Sequence, residues 1–298
     1  MTYNSRKSIL LICSMLILLL ASCSDSMAPV YAGTTVQIFE TEKLSELQKE
    51  FERYNYDLEQ LQDGVPPLIL QSFPQGLAKL SSSKKKQVFF QTLLPMVLLA
   101  NEEIKRQRQL LIKLDEASRL NGSAFSDSDL HLLKTLAKRY GVKLSRQNPR
   151  KTLDALLVRI DIIPTDLALA QAANESAYGT SRFSLLANNL FGEWTFTPGT
   201  GIVPEGRPEG EIYEVRRFNS LLDSVRSYQR NLNTHSAYRP FRKLRAEARS
   251  SQQELRGKEL ANGLLRYSTR REAYVKDLQS LIRHNRLERY ATATLRKG

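Results

Sequence analysis

Only two of the 298 residues are cysteine, three are histidine and one is tryptophan. Two cysteines cannot build a disulfide framework, and His131, His235 and His284 have no zinc-ligand spacing, so metal chemistry is disfavoured; no organic cofactor is expected either. Glycine (14) and proline (11) are too sparse for fibrous or low-complexity sequence. Beyond the first two dozen residues no apolar run approaches the roughly 20 residues that span a bilayer, which excludes a polytopic membrane protein. Residues 88–100 are nearly all apolar, but they are too few, are interrupted by Gln91, Thr92 and Pro95, and follow Lys84, Lys85 and Lys86. They read as a buried helix. No repeat at a period of 20–50 residues is visible, which sets aside solenoids and propellers.

Acidic residues are scarce only near the C-terminus. Residues 216–298 hold 20 Lys and Arg against 7 Asp and Glu, whereas residues 1–215 hold 24 of each, so the whole formal charge of +13 lies in the last stretch. Such a face attracts a polyanion: nucleic acid, anionic lipid or an acidic cell-wall polymer. The compartment chooses among them. Arg6 and Lys7, apolar residues 9–20 and then Leu20-Ala21-Ser22-Cys23 form the pattern of a bacterial signal peptide ending in a lipobox. The pattern resembles that of lipoproteins, in which the cysteine is acylated and becomes the first mature residue. A membrane anchor through lipidated Cys23 is expected, with an uncleaved N-terminal anchor as the alternative; either leaves the bulk of the chain outside the cytoplasm, with no nucleic-acid partner. Ser24 after the cysteine matches sorting to the outer membrane, where Asp would retain the chain at the inner one; the expected location is the cell envelope, facing the periplasm.

The expected organisation is a signal peptide at 1–22, a tether at 23–40, an N-terminal helical region at 41–148 and a second domain at 149–298. Helices are expected over residues 40–61 and over 83–109, the latter kinked at Pro95, and a helix opens at Ser126-Asp127-Ser128-Asp129 and stops at Gly141. Strand-like sequence is confined to residues 194–218, rich in Gly and Pro.

The chemistry concentrates in residues 162–196. A helix is expected over 166–178, with Asp166 at its positive end and Gly179 as its left-handed stop. Glu175 then falls in the last turn of an otherwise apolar helix. Burial and the negative helix end both favour the neutral carboxyl, the form a general acid needs; a plain ion pair with an arginine is the alternative.

The run from Ala170-Gln171-Ala172-Ala173-Asn174-Glu175-Ser176 through Tyr178-Gly179-Thr180-Ser181, followed by Asn188-Asn189-Leu190-Phe191-Gly192, resembles the glucosaminidase domain of glycoside hydrolase family 73. Its Bax-type branch is more similar still, through the GEWTF stretch that ends in Trp194-Thr195-Phe196, through Gly201-Ile202-Val203-Pro204 and through Tyr267-Ser268 and Ala273-Tyr274. The resemblance implies a mainly α, lysozyme-like helical domain with a small β-hairpin lobe, preceded by the N-terminal helical region. It also implies cleavage of the β-1,4 bond between N-acetylglucosamine and N-acetylmuramic acid in peptidoglycan strands, with Glu175 as general acid. Tyr178 stands where the wider family has Trp and keeps an aromatic face for a sugar.

A second carboxylate is expected from the β lobe. Glu209 and Glu205 are the first choices there, ahead of Glu211 and Glu214, with the substrate's acetamido group as the alternative. Tyr238 is expected near the acid. Ser176, Tyr178, Asn188, Asn189, Phe191, Trp194 and Tyr267 are the candidate substrate contacts; Asn188 and Asn189 equally suit left-handed backbone geometry. A non-catalytic peptidoglycan-binding lipoprotein and a lytic transglycosylase are the competing readings. The basic helices over 239–256 and 266–289 either hold the acidic polymer or are simply solvated.

Overall fold

The computed structural model describes residues 35–120, 125–145 and 147–296. The lipobox, Cys23 and the first part of the expected tether lie outside them. Two short strands, β1 (Gln37–Phe39) and β2 (Leu68–Leu70), pair in parallel and bracket helix α1 (Leu44–Arg53). The end of the stretch expected to be a tether is thus a strand, because Leu68–Leu70 offers it a buried partner from a distant part of the chain. Helix α1 is shorter than expected: the chain turns at Asn55, which adopts a left-handed conformation (φ 46°).

Helix α2 (Ser82–Leu120) continues through Pro95 and beyond residue 109. Its first half, from Val88 to Asn101, is buried throughout, and the polar residues there have partners. Gln91 donates to the carbonyl of Tyr56 (2.7 Å), and Asn101 both donates to and accepts from the backbone of Ile163 (2.9 and 3.2 Å). Buried amides are costly unless paired in this way, so they fix where α2 crosses the rest of the chain. The second half of α2 packs with α3 (Asp127–Tyr140) and α4 (Pro149–Arg159) around Leu111, Leu133, Leu136, Leu153 and Leu156. Ser126 and Asp129 form the expected capping box, and Gly141 (φ 62°) ends α3.

The main core runs across residue 148 without a break. Leu93, Leu94 and Val97 of α2 join Leu167, Ala168 and Ala172 of α5 (Thr165–Ser176) in one cluster. Short α6 (Arg182–Ala187) follows, then an antiparallel sheet in the order β3 (Trp194–Thr195), β5 (Glu214–Arg216), β4 (Gly201–Ile202). Helices α7 (Leu221–Thr234), α8 (Arg239–Ser250), α9 (Gly257–Leu260) and α10 (Glu272–His284) close the chain around α5. The architecture is the mainly α fold with a small β lobe that the sequence led one to expect.

Two arginines of the basic C-terminal sequence point inward, although most of its Lys and Arg are exposed. Arg245 is fully buried and donates to the carbonyls of Val158, Arg159, Asp161 and Ile162 (3.0–3.2 Å), closing the C-terminal end of α4. Arg242 does the same for Leu232 and His235 after α7 (2.8 and 2.9 Å). Arg249 makes a two-pronged pair with buried Asp161 (2.9 Å each). Orphan helix carbonyls and one buried carboxylate occupy these three guanidinium groups, of which Arg242 and Arg245 are buried and Arg249 is still 40% exposed.

Candidate active site

Alanine makes up the middle of α5, so neighbouring helices approach closely and nearly every residue from Thr165 to Ala173 is buried. The helix ends at Ser176, two residues before the expected stop. Ala177, Tyr178 and Gly179 follow with φ of 50°, 56° and 79°, three left-handed residues in a row. At Gly179 a Cβ would come within 2.7 Å of the Phe73 ring, so the turn needs glycine for packing as well as for backbone conformation. Ser176 holds the turn: its hydroxyl donates to the carbonyl of Ala172 (2.6 Å) and accepts from the N–H of Gly179 (2.8 Å).

This turn leaves Glu175 half-buried on the wall of a cleft of about 540 Å³. Phe191, Glu193, Trp194, Arg216, Ser227, Arg230, Tyr238 and Tyr267 line it as well. Glu175 has no arginine partner among the described residues. Its Oε1 accepts from the Tyr274 hydroxyl (2.8 Å) and from the Asn174 amide (3.1 Å). Behind Tyr274 the bonds continue: Gln171 donates to its hydroxyl (3.0 Å) and accepts from Tyr228 (2.7 Å). Burial, reinforced by the charge of Glu175, pushes the Tyr274 hydroxyl far above its ordinary range, so it keeps the proton that it donates to Glu175.

Three tyrosines form a continuous aromatic row, of which Tyr267 and Tyr238 line the cleft and Tyr274 lies behind them. Tyr274 stacks on Tyr267 (5.4 Å between centroids, 4° between planes), and Tyr267 lies against Tyr238 (5.6 Å). Tyr238 is pushed up to about 12, by burial first and then by the charges of Glu193 and Glu175. Its hydroxyl therefore sits within the field of both carboxylates. Phe191 stacks face to face on Tyr228 (3.9 Å, 6°), and Trp194, 52% exposed, meets Tyr213 edge-on (4.8 Å).

The other expected contacts do not reach the cleft. Ser176 is fully buried and occupied by the turn. Tyr178, turned by its positive φ, packs edge-on between Phe89 and Phe90 and accepts from Asn285 (3.4 Å), so it belongs to the core side of α5. Asn188 takes the left-handed cap of α6 (φ 52°) and donates to the carbonyl of Phe218 (3.3 Å). Asn189 is buried and wholly used by the backbone of Glu193 and Arg216. For both asparagines it is the structural alternative that holds. In the lobe, Glu205 is 85% exposed beside Arg182 (3.2 Å), and Glu209 and Glu211 are exposed. Glu214 accepts from the N–H groups of Gly199 (2.9 Å) and Gly201 (2.8 Å), which hold it below the ordinary glutamate range. None of the four lines the cleft.

Glu193 was not anticipated. It lies among the quoted motif residues, between Gly192 and Trp194, but nothing in its spacing marks it. Its side chain is 13% exposed, Oε2 accepts from the Ser227 hydroxyl (2.8 Å), and the Arg216 guanidinium stands 3.7 Å away. Burial raises its carboxyl above the usual range despite Ser227, Arg216 and Arg230. Among the described residues no cluster of three His, Cys, Asp or Glu side chains has the makings of a metal site.

A curated relative, "Protein bax" of Escherichia coli (strain K12), is 33% identical over 216 residues, which cover 72% of this chain and 73% of that protein. The profile described as mannosyl-glycoprotein endo-beta-N-acetylglucosaminidase matches residues 150–287. The chain belongs to the glucosaminidase family. The Bax-type resemblance read from Glu175 and its flanking motifs is borne out. Among solved structures, the catalytic domain of the autolysin Auto from Listeria monocytogenes is similar at 17% identity and a TM-score of 0.33, over 60% of this chain and 96% of that one. In this member of the family the profile takes in every residue that lines the cleft, from Glu175 to Tyr267.

Proposed function

We propose that this glucosaminidase hydrolyses the β-1,4 bond between N-acetylglucosamine and N-acetylmuramic acid in peptidoglycan, with Glu175 as the general acid. The observation that carries the reading is the setting of Glu175. A tyrosine relay holds one of its oxygens at the wall of an aromatic-floored cleft, and among the described residues no cation pairs with it. Glu175 gives a proton to the departing glycosidic oxygen, and Tyr274 keeps the carboxyl aimed while it does so. Tyr267, Tyr238 and Trp194 offer the faces on which sugar rings stack. The same reading places the protein in the cell envelope, tied to the outer membrane through a lipidated Cys23 and facing the periplasm. A Cys23→Ser variant should then leave the membrane fraction.

Digestion of purified sacculi, with mass spectrometry of the new ends, tests the reaction. Reducing N-acetylglucosamine is the expected product. Anhydromuramic ends would instead mark a lytic transglycosylase, and no product at all a glycan-binding protein. Glu175→Gln should lower the rate by roughly 10²–10⁴-fold, the usual contribution of a positioned proton donor.

A further inference from the structure

We propose that Arg230 and Arg216 form an anion-binding subsite in the cleft, which takes a carboxylate carried on the lactyl arm of the muramic acid ring beside the scissile bond. The proposal rests on the hydrolase reading above and adds what that reading leaves open: how the cleft tells a muramic acid strand from an uncharged polymer of N-acetylglucosamine.

Helix periodicity sets the wall. Ser227, Arg230, Asn231 and Thr234 stand at i, i+3, i+4 and i+7 of α7, so one stripe of that helix lines the cleft. The other side of α7, with Val225, Tyr228 and Leu232, is buried. The stripe is wholly polar, and the aromatic faces of the cleft come from Tyr238, Tyr267 and Trp194 instead. Arg216 of β5 adds a second guanidinium. It donates to the Ser227 hydroxyl (3.1 Å) and stands 4.7 Å from the centroid of the Phe218 ring, so it is held in place.

The charge of Arg230 is left over. Its side chain is exposed and makes neither a hydrogen bond nor an ion pair with the described residues, and the Asn231 amide makes no hydrogen bond with them either. The acids around it are taken. Glu103, in the hollow that Arg230 also borders, pairs with Arg226 (2.6 Å), and Glu193 is shared between Ser227 and Arg216. Partial burial first, then the charges of Arg139 and Arg216, hold Arg230 below the ordinary arginine range and outweigh Tyr140 and Glu193. Like charges gathered without a counter-charge cost energy that an arriving anion removes.

The substrate supplies the anion. In the hydrolase reading the oxygen that Glu175 protonates is on C4 of muramic acid, and the lactyl ether is on the neighbouring C3. A strand bound for cleavage therefore brings the arm into the same cleft. The arm ends in a carboxylate, either the lactate's own or, where peptide is attached, one of the peptide's. A guanidinium matches a carboxylate with two parallel N–H groups, and the Asn231 amide can donate to the same oxygens. N-acetylglucosamine alone carries only a hydroxyl at that carbon.

A cycle between the charge on the protein and the charge on the substrate tests the subsite. Sacculi are used as isolated and after carbodiimide and ammonia have converted their carboxylates to amides, and the reducing ends released by the full chain are measured. For the wild type, kcat/KM should be roughly tenfold higher on untreated than on amidated sacculi, through KM, with the difference narrowing in added salt. In Arg230→Gln the preference should shrink to about twofold or less, and Arg230→Lys, which keeps the charge without the fork, should restore part of it. Arg230 has no partner in the fold to lose, so the melting temperature of both variants should stay at the wild-type value. Strands freed of peptide by an amidase, with and without amidation, assign the source: a preference that survives there comes from the lactate carboxylate, and one that vanishes comes from the peptide. A wild type without a preference, or an Arg230→Gln variant that keeps it, overturns the subsite. If no substrate yields reducing ends, the hydrolase reading fails; co-sedimentation of wild type and Arg230→Gln with the two kinds of sacculi then decides the subsite by the same comparison, which tells the two failures apart.

Discussion

The helical frame and the β lobe treat their charged residues in opposite ways. Around α5 the carboxylates and arginines are buried and individually partnered: Asp161 by Arg249, Asp166 by the N–H groups of Leu167 and Gly257, Arg245 by four carbonyls. In the lobe, strands of two or three residues expose Trp194, Phe196, Val203 and Ile212, and Glu205, Glu209 and Glu211 stay in solvent. A carboxyl group acquires unusual proton affinity only where packing withholds water. The frame and its border with the lobe can therefore supply reacting groups, whereas the outer lobe supplies surface.

The largest expected effect on that contrast comes from Arg245→Met. The change leaves the carbonyls of Val158, Arg159, Asp161 and Ile162 without their donor. Stability should fall by about 3 kcal/mol or more, read from the urea midpoint. A loss below about 0.5 kcal/mol would mean that the buried charges of the frame matter no more than surface ones.

Next is the pH dependence set by Asp166, which burial pushes up to about 6. Near pH 3 the folded and unfolded chains both hold this proton. As the pH rises the unfolded chain ionises first, while the folded one keeps its proton until about 6. This group therefore costs stability across that window, on the order of 3 kcal/mol in full, and the cost is flat above it. Asp161 runs the other way: burial opposes its charge, but Arg249, Arg245 and Arg108 outweigh burial and hold it low, so it adds stability once ionised. Urea midpoints from pH 4 to 7 should show the stability of Asp166→Asn gaining on wild type as the pH rises. A gap that does not change with pH would break the account.

A smaller effect is expected at Tyr274. In Tyr274→Phe the stacking on Tyr267 survives, but Glu175 and Gln171 both lose a partner. Stability should fall by about 1 kcal/mol and kcat by roughly tenfold, with KM little changed. The lobe should show the smallest changes. Glu205→Gln and Glu209→Gln should leave kcat unaltered, and Trp194→Ala should cost under about 0.5 kcal/mol while raising KM a few-fold through lost stacking. A large fall in kcat in either glutamate variant would bring the outer lobe into the reaction.

The local features were legible before any coordinates. The capping box at Ser126, the stop at Gly141 and the buried run 88–100 each follow from neighbours a few residues apart, as does the placing of Glu175 at the end of α5. Glu193 was not legible, because its burial depends on Ser227 and Asn189, which α7 and the α6–β3 loop bring to it from two directions. Tyr178 was misplaced for a related reason: its aromatic type suggested a sugar, but three successive left-handed residues turn it onto Phe89 and Phe90.

The amino-acid order by itself determined which stretches are helical, both ends of α3 and the family motif around Glu175, since these rest on hydrogen bonds and apolar periods that close within a few residues. Only the tertiary structure decided which charges lose their water. It turned Arg242 and Arg245 inward, joined Tyr228, Gln171 and Tyr274 into one relay, and set Glu193 rather than Glu205 or Glu209 on the cleft wall. Desolvation is a property of what surrounds a group, and for each of these side chains the surroundings come from far along the chain.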